Sequence, residues 1–164
     1  MNHISYISIG SNLGDRINNC TIAISKLSFF SKVLKQSSFY ETEAWGYDDS
    51  NLYINAVLKI ETELSPEKLL NQLQLIEKQM GRINTQLNDL YESRIIDLDI
   101  LFFDKVLLNT HQLIIPHIHL YNRNYVLIPF VEIEPNFECP FKKDTISNLL
   151  KLCEDKSQVD LYPH

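Results

Sequence analysis

Cysteine is scarce and out of register for bonding. The three residues, Cys20, Cys139 and Cys153, are odd in number and include no CxxC pair. That spacing argues against a disulfide framework and a cysteine-held zinc site, so reduced thiols are expected. Long apolar runs are missing as well. The greasiest stretches, around Ile95–Phe103 and Val126–Val131, fall well short of the roughly 20 residues that a membrane helix needs. Met1-Asn2-His3-Ile4 opens no basic region followed by an apolar block, so no secretory signal is read and a cytoplasmic protein is expected. Positive charge is in deficit. A net charge of −6 argues against a surface that holds nucleic acid or anionic lipid by bulk electrostatics, so an anionic ligand needs a local cationic pocket. Arginine is correspondingly sparse, and Arg16, Arg82, Arg94 and Arg123 are its whole supply. Repeats, low-complexity tracts and Pro/Gly linkers are absent too, which leaves one domain over residues 1–164. The 164 residues are 45% hydrophobic and 22% charged, a balance that supports a sizeable core.

The hydrophobic pattern alternates between the two periods of regular structure. Ile4–Ile9 reads as a strand ending at Gly10, and Asp15 caps a helix carrying Ile17, Thr21, Ile24 and Leu27 at three- and four-residue steps. Val33–Thr42 and Leu52–Glu63 read as an antiparallel pair of strands. Ser65-Pro66-Glu67 opens a second helix with a hydroxyl cap, proline at the first position and an acid at the positive end of the dipole. Leu69, Leu73, Ile76 and Met80 form its buried stripe, and Gly81 supplies a left-handed cap. A polar connection, Arg82–Ser93, leads into the strand Ile95–Phe103. The order βαββαβ is the ferredoxin-like split-βαβ plan, an α+β fold in which two helices cover one face of an antiparallel sheet. C-terminal additions follow: extended pieces at Lys105–Leu108 and Leu113–Ile115, a helical turn around Tyr125–Val131, and a helix from Asp144 to about Glu154.

Asp97-Leu98-Asp99 carries the strongest chemical signal. A strand's period of two puts both carboxylates on one face while Ile96, Leu98 and Ile100 enter the core. Two hard oxygen donors pointing together suit magnesium, which takes one or two carboxylates plus phosphate oxygens and water. The plainer alternative is a strand with one solvated face. Arg82 and Arg94 bracket the preceding connection and Arg123 follows, three bidentate phosphate donors that can converge near the carboxylates. The long connection itself has the character of a lid. Gln74 and Glu77 stand one turn apart, facing away from the leucine stripe, where a solvated helix face is the simplest reading. His117 follows a proline turn and can donate to a phosphate oxygen, a surface histidine without a role being the equal alternative. Tyr53 and Asn55 share one strand face, an aromatic plate beside an amide, which suits a flat heterocycle, although core packing of Tyr53 is the plainer reading of that residue alone. Gly10-Ser11-Asn12-Leu13-Gly14 lacks the spacing of a phosphate loop and reads as a tight strand-to-helix turn. No neighbour activates any cysteine, and none is given a role.

Together, Ile7–Asp15 (ISIGSNLGD), Ser38–Thr42, Tyr53–Ala56 (YINA), Ile76–Arg82 (IEKQMGR), Arg94–Phe102 (RIIDLDILF) and Pro116–Arg123 (PHIHLYNR) resemble the 6-hydroxymethyl-7,8-dihydropterin pyrophosphokinases of folate biosynthesis. The resemblance runs over nearly the whole chain. It implies a ferredoxin-like core and transfer of the β,γ-pyrophosphoryl unit of ATP to the pterin hydroxymethyl group, releasing AMP. Carried over by position, it implies that Asp97 and Asp99 hold two magnesium ions and that Arg82 and Arg94 close over the phosphates as catalytic groups. It assigns Gln74, Glu77, Ile100, His117 and Arg123 to ATP. Tyr53 and Tyr125 would sandwich the pterin, Asn55 would read its edge, and the backbone of Thr42 and Trp45 would complete the pocket. The chain departs from the family's commonest pattern at Asn84, Tyr91, Gln112, Ile118 and Glu43-Ala44-Trp45. An active enzyme with an altered closing segment is therefore expected, working on ATP and dihydropterin as a monomer, with no nucleic acid or membrane partner. The competing reading is a ferredoxin-like nucleotide- or RNA-binding module without turnover, against which the negative charge and missing RNA-binding aromatic pattern speak.

Overall fold

The computed structural model describes residues 1–81 and 93–163. The chain begins with β1 (His3–Ser11), α1 (Arg16–Leu27), β2 (Ser31–Gln36), β3 (Tyr40–Thr42), β4 (Tyr53–Thr62), α2 (Pro66–Gln79) and β5 (Asp97–Phe103). It continues through β6 (Leu108–Asn109), β7 (Ile114–Ile115), a 3₁₀ turn at Leu120–Asn122, α3 (Asn124–Ile133), β8 (Glu138–Cys139), β9 (Asp144–Thr145), α4 (Ile146–Leu152) and β10 (Val159–Leu161). The main sheet runs β10-β3-β4-β1-β5, with β2 on the same edge of β4 as β3. Every pairing in it is antiparallel. Counting β2 and β3 as one strand, this is the split-βαβ order the sequence pattern implies.

Two cores cover the two faces. On one, Ile7, Ile9, Ile54, Leu58 and Ile60 of the sheet meet Cys20, Ala23 and Leu27 of α1 and Leu69, Leu73 and Ile76 of α2. On the other, Tyr6, Val57, Leu101 and Phe102 meet Val126, Leu127, Phe130 and Ile133 of α3, with Ile146 and Leu149 of α4 behind them. A bulge in β5 serves both. Ile7 pairs with Ile100 and Tyr6 with Phe102, so Leu101 is the extra residue, and Leu101 and Phe102 both enter the second core.

Several local expectations change in detail. Val33–Thr42 is two strands rather than one, because Ser37 replaces a rung of the ladder: its N–H donates to the Val57 carbonyl while its Oγ accepts the Val57 N–H at 2.9 Å. Ser38 then turns outward and donates its N–H and Oγ to Glu132 of α3. In α1 the buried stripe is Cys20, Ala23 and Leu27, while Thr21 is exposed and returns its hydroxyl to the Ile17 carbonyl. The turn expected around Tyr125–Val131 is a full helix. Four buried apolar side chains carry it through Pro129, whose missing N–H deprives the Tyr125 carbonyl of its usual donor. The last helix is shorter than Asp144–Glu154, since Thr145 caps it by accepting from the Asn148 N–H. β10, absent from the sequence reading, extends the sheet beyond β3.

Candidate active site

A pocket opens on the second face of the sheet, where β1 and β3 end, β4 and β5 begin, and α3 starts. Its walls include Thr42, Tyr53, Asn55, Asp97, Asp99 and Tyr125, joined by Trp45 and Arg123. Register explains the convergence. Asp99 lies across from Ser8 and Asp97 from Gly10 on β1, and Gly10 lies across from Asn55 on β4. The period of two that sends Leu98 and Ile100 into the first core therefore turns both carboxylates to the same side as Tyr53 and Asn55.

On the side of Tyr53, Asn55 is buried and its Nδ2 donates to the Thr42 hydroxyl at 2.8 Å. Its Oδ1 lies over Gly10, where an added Cβ would sit 3.1 Å away. The missing side chain at Gly10 is what lets the amide lie there. Tyr53 shares a 2.6 Å hydroxyl contact with Tyr47, and burial followed by that bond raises its pKa. Burial likewise raises the Tyr125 pKa, so both rings are neutral phenols.

The charged side is built around β5. Arg94 Nη1 donates to Asp97 Oδ1 at 2.9 Å. Burial disfavours the Arg94 charge, but Asp97, Tyr53 and Asp99 outweigh it and keep the guanidinium pKa above its ordinary value. Asp99 is pushed above the usual carboxylate range, first by burial and then by the Asp97 charge, against the pull of Arg123 and Arg94. His117 Nε2 lies 3.7 Å from Asp99 Oδ2. Its backbone N–H donates to the Leu101 carbonyl on β5, and its Nδ1 accepts the His119 N–H at 3.2 Å. Nδ1 being an acceptor, the proton of the neutral ring sits on Nε2, toward Asp99. Burial, then Arg123 and His119, push the His117 pKa down to about 4.

Of the other sequence-selected residues, Gln74 is exposed on α2 and Ile100 is in the first core at 3% exposure, and neither lines this pocket. Glu77 departs from the outward-facing expectation. It is 5% exposed, and its Oε1 accepts the Leu98 N–H at 2.8 Å. The reason is the sheet edge: among the described residues β5 is the last strand, so its outer N–H takes an acceptor from outside the ladder. Gln112 and Ile118 are exposed. Arg82, Asn84 and Tyr91 lie outside the described residues, as does all but Ser93 of the expected lid.

Sequence reasoning passed over Asn12, Asp49 and Ser93. Asn12 is buried; its Oδ1 accepts the Arg94 N–H at 2.5 Å and its own N–H donates to the Arg94 carbonyl at 2.9 Å. Asn12 Nδ2 reaches Asp49 at 3.0 Å, and Ser93 Oγ donates to the same carboxylate oxygen. The arginine is thereby gripped through its backbone before β5 begins. The available signal was an asparagine immediately after a strand end in ISIGSNLGD.

The donor set suits a hard divalent cation. Two carboxylates share one face, and their mutual repulsion is what such an ion relieves. Among the described residues no cluster of three or more His, Cys, Asp or Glu forms a self-sufficient metal cage.

Residues 6–135 match the family model of 7,8-dihydro-6-hydroxymethylpterin-pyrophosphokinase. The 2-amino-4-hydroxy-6-hydroxymethyldihydropteridine pyrophosphokinase of Haemophilus influenzae is 37% identical over 161 residues, covering 97% of this chain and 98% of its own. The folic acid synthesis protein fol1 of Pneumocystis carinii is 43% identical over 163 residues; the match takes in 99% of this chain and spans 22% of that longer protein. In the solved structure of wild-type Plasmodium falciparum HPPK-DHPS with pteroate, the likeness is one of fold. Its TM-score is 0.75 at 15% identity, covering 93% of this chain and 42% of that one.

Proposed function

The chain belongs to the 7,8-dihydro-6-hydroxymethylpterin-pyrophosphokinase family, and from that premise we propose that the pocket between Asn55 and Asp99 is where its transfer takes place. The activity is that of an ATP-dependent diphosphotransferase in folate biosynthesis: ATP gives pyrophosphate to 6-hydroxymethyl-7,8-dihydropterin. The observation that carries the siting is the shared face. A flat, amide-edged slot at Tyr53, Asn55 and Tyr125 adjoins a carboxylate pair flanked by Arg94, Arg123 and His117.

In this reading the pterin ring lies between Tyr53 and Tyr125, and Asn55, already oriented by Thr42, reads its edge. The hydroxymethyl oxygen attacks the β-phosphorus of ATP and gives up its proton to solvent, the bond from that phosphorus to the α-phosphate bridging oxygen breaks with its electron pair staying on that oxygen, and AMP leaves. Asp97 and Asp99 would hold magnesium, two ions in the full proposal, whose charge offsets that of the triphosphate. Arg94 and Arg123 supply cationic donors along the phosphates, with Arg82 as a further candidate from the sequence. His117, neutral with Nε2–H toward Asp99, donates a hydrogen bond rather than a proton. Gln74, Glu77 and Ile100 remain candidate ATP contacts by resemblance. Transfer of this type needs positioning and charge neutralisation more than covalent help. We treat residues 1–164 as one pyrophosphokinase domain, monomeric and cytoplasmic; the two cores sharing one sheet support the single domain. No helix among the described residues is long and apolar enough to cross a membrane.

The test is product analysis after mixing protein, MgATP and 6-hydroxymethyl-7,8-dihydropterin, with controls lacking metal or pterin. AMP appearing in step with pterin diphosphate is expected, with near-complete loss in Asp97→Ala or Asp99→Ala. ADP as the nucleotide product, or untouched substrates, would overturn the assignment.

A further inference from the structure

Trp45 is the chain's single tryptophan, on the segment joining β3 to β4 that lines the heterocycle side. Its indole nevertheless lies against the charged side. The guanidinium carbon of Arg123 sits 4.6 Å from the indole centroid and 5.8 Å from that of Tyr125, and the His119 ring lies 5.5 Å from the indole. Among the described residues, the buried Arg123 Nε has no hydrogen-bond partner and no carboxylate forms a salt bridge with this guanidinium.

The chemistry of a stacked guanidinium gives this arrangement direction. Stacking uses the face of the planar group, whereas its N–H donors radiate from the edge. An arginine clasped by aromatic faces therefore keeps its edge for a bidentate acceptor, and phosphate oxygens match that edge. Holding the cation on a ring also removes much of the rotamer freedom that a long side chain loses on binding.

We propose that Trp45 is a positioning residue for the nucleotide: by stacking on Arg123 it presents the unpaired guanidinium edge to the phosphates, although its loop belongs to the pterin wall. This rests on the reading of the Asp97–Asp99 pocket as the MgATP site and deepens it. One loop then serves both substrates, so a substitution on the pterin side is felt by the nucleotide before any pterin is present.

The experiment measures binding of magnesium with a non-hydrolysable α,β-methylene ATP analogue by titration calorimetry, in the absence of pterin. Trp45→Leu is expected to weaken binding about five-fold, Trp45→Phe to recover most of it, and Trp45→Leu to add nothing in an Arg123→Ala background. Thermal melting of each variant separates this from loss of fold, and saturating nucleotide should shift the wild-type tryptophan emission. Binding by Trp45→Leu equal to wild type, or an undiminished loss in the Arg123→Ala background, would overturn the proposal while leaving the assigned reaction standing. A wild-type protein that binds no nucleotide would overturn both.

Discussion

Gly10 matters through what it leaves out. With a methyl 3.1 Å from Asn55 Oδ1, Gly10→Ala has to displace an amide that Thr42 holds in place. The expected result is a several-fold rise in KM for the dihydropterin with nucleotide affinity unchanged, measured by steady-state kinetics and calorimetry. His117 offers a second test at this scale. Its pKa, pushed down to about 4, lies below the ordinary 6.5, so the ring is neutral at neutral pH. Ring NMR should place the titration midpoint near 4 with the proton on Nε2, and a midpoint at the ordinary value would remove the neutral-donor role. The sign for stability follows. Between the two values the unfolded chain binds the extra proton, so His117 makes acidification from about 6.5 toward 4 destabilising.

α3 is the element on which the site depends most, because its first residues bring Arg123 and Tyr125 into the pocket. At its N-terminus Asp155 Oδ2 accepts the Asn124 N–H at 3.1 Å, and Asn124 Nδ2 donates to the Ser157 carbonyl at 2.7 Å. The C-terminal segment thus does the capping that Arg123, with no side-chain cap bond, does not. Asp155→Ala should cost about 1 kcal/mol in chemical denaturation, as loss of a helix cap does. In its body, Phe130 is fully buried, stacked on Tyr6 at 4.6 Å and edge-on to Phe102 at 5.7 Å. Phe130→Ala should cost about 3–5 kcal/mol through the cavity it leaves. At the C-terminal end Glu134 binds Lys59 and Lys35, which overcome the opposing effect of burial and hold its pKa below the ordinary 4.5. That contribution is complete above the unfolded value and disappears as pH falls through the lower folded one. Melting temperature measured from roughly pH 5 to pH 3 should therefore fall less steeply in Glu134→Gln than in wild type.

At the scale of the molecule, both cores rest on opposite faces of the same strands, and Tyr6 and Ile7 of β1 belong to different cores. Losing either layer exposes a face of the sheet that the other needs, so the two cannot unfold separately without a large apolar cost. One cooperative transition is expected, with calorimetric and van't Hoff enthalpies agreeing. Two separated transitions would show that the α3–α4 layer is an independent unit.

Whatever repeats at a local period was legible in the sequence. The period of two in RIIDLDILF determined that Asp97 and Asp99 share a face, and Ser65-Pro66-Glu67 and Asp15 marked helix starts through their own capping chemistry. The element order then implied the sheet, and matched segments implied the reaction. What the tertiary structure decided lies between residues far apart in sequence: Glu77 buried against the edge of β5, Asn12 gripping the backbone of Arg94, β10 pairing with β3, and Trp45 laid on Arg123. No local spacing encodes these contacts. They follow from strand register, the open edge of the sheet and the packing of α3, which exist once the chain has closed on itself.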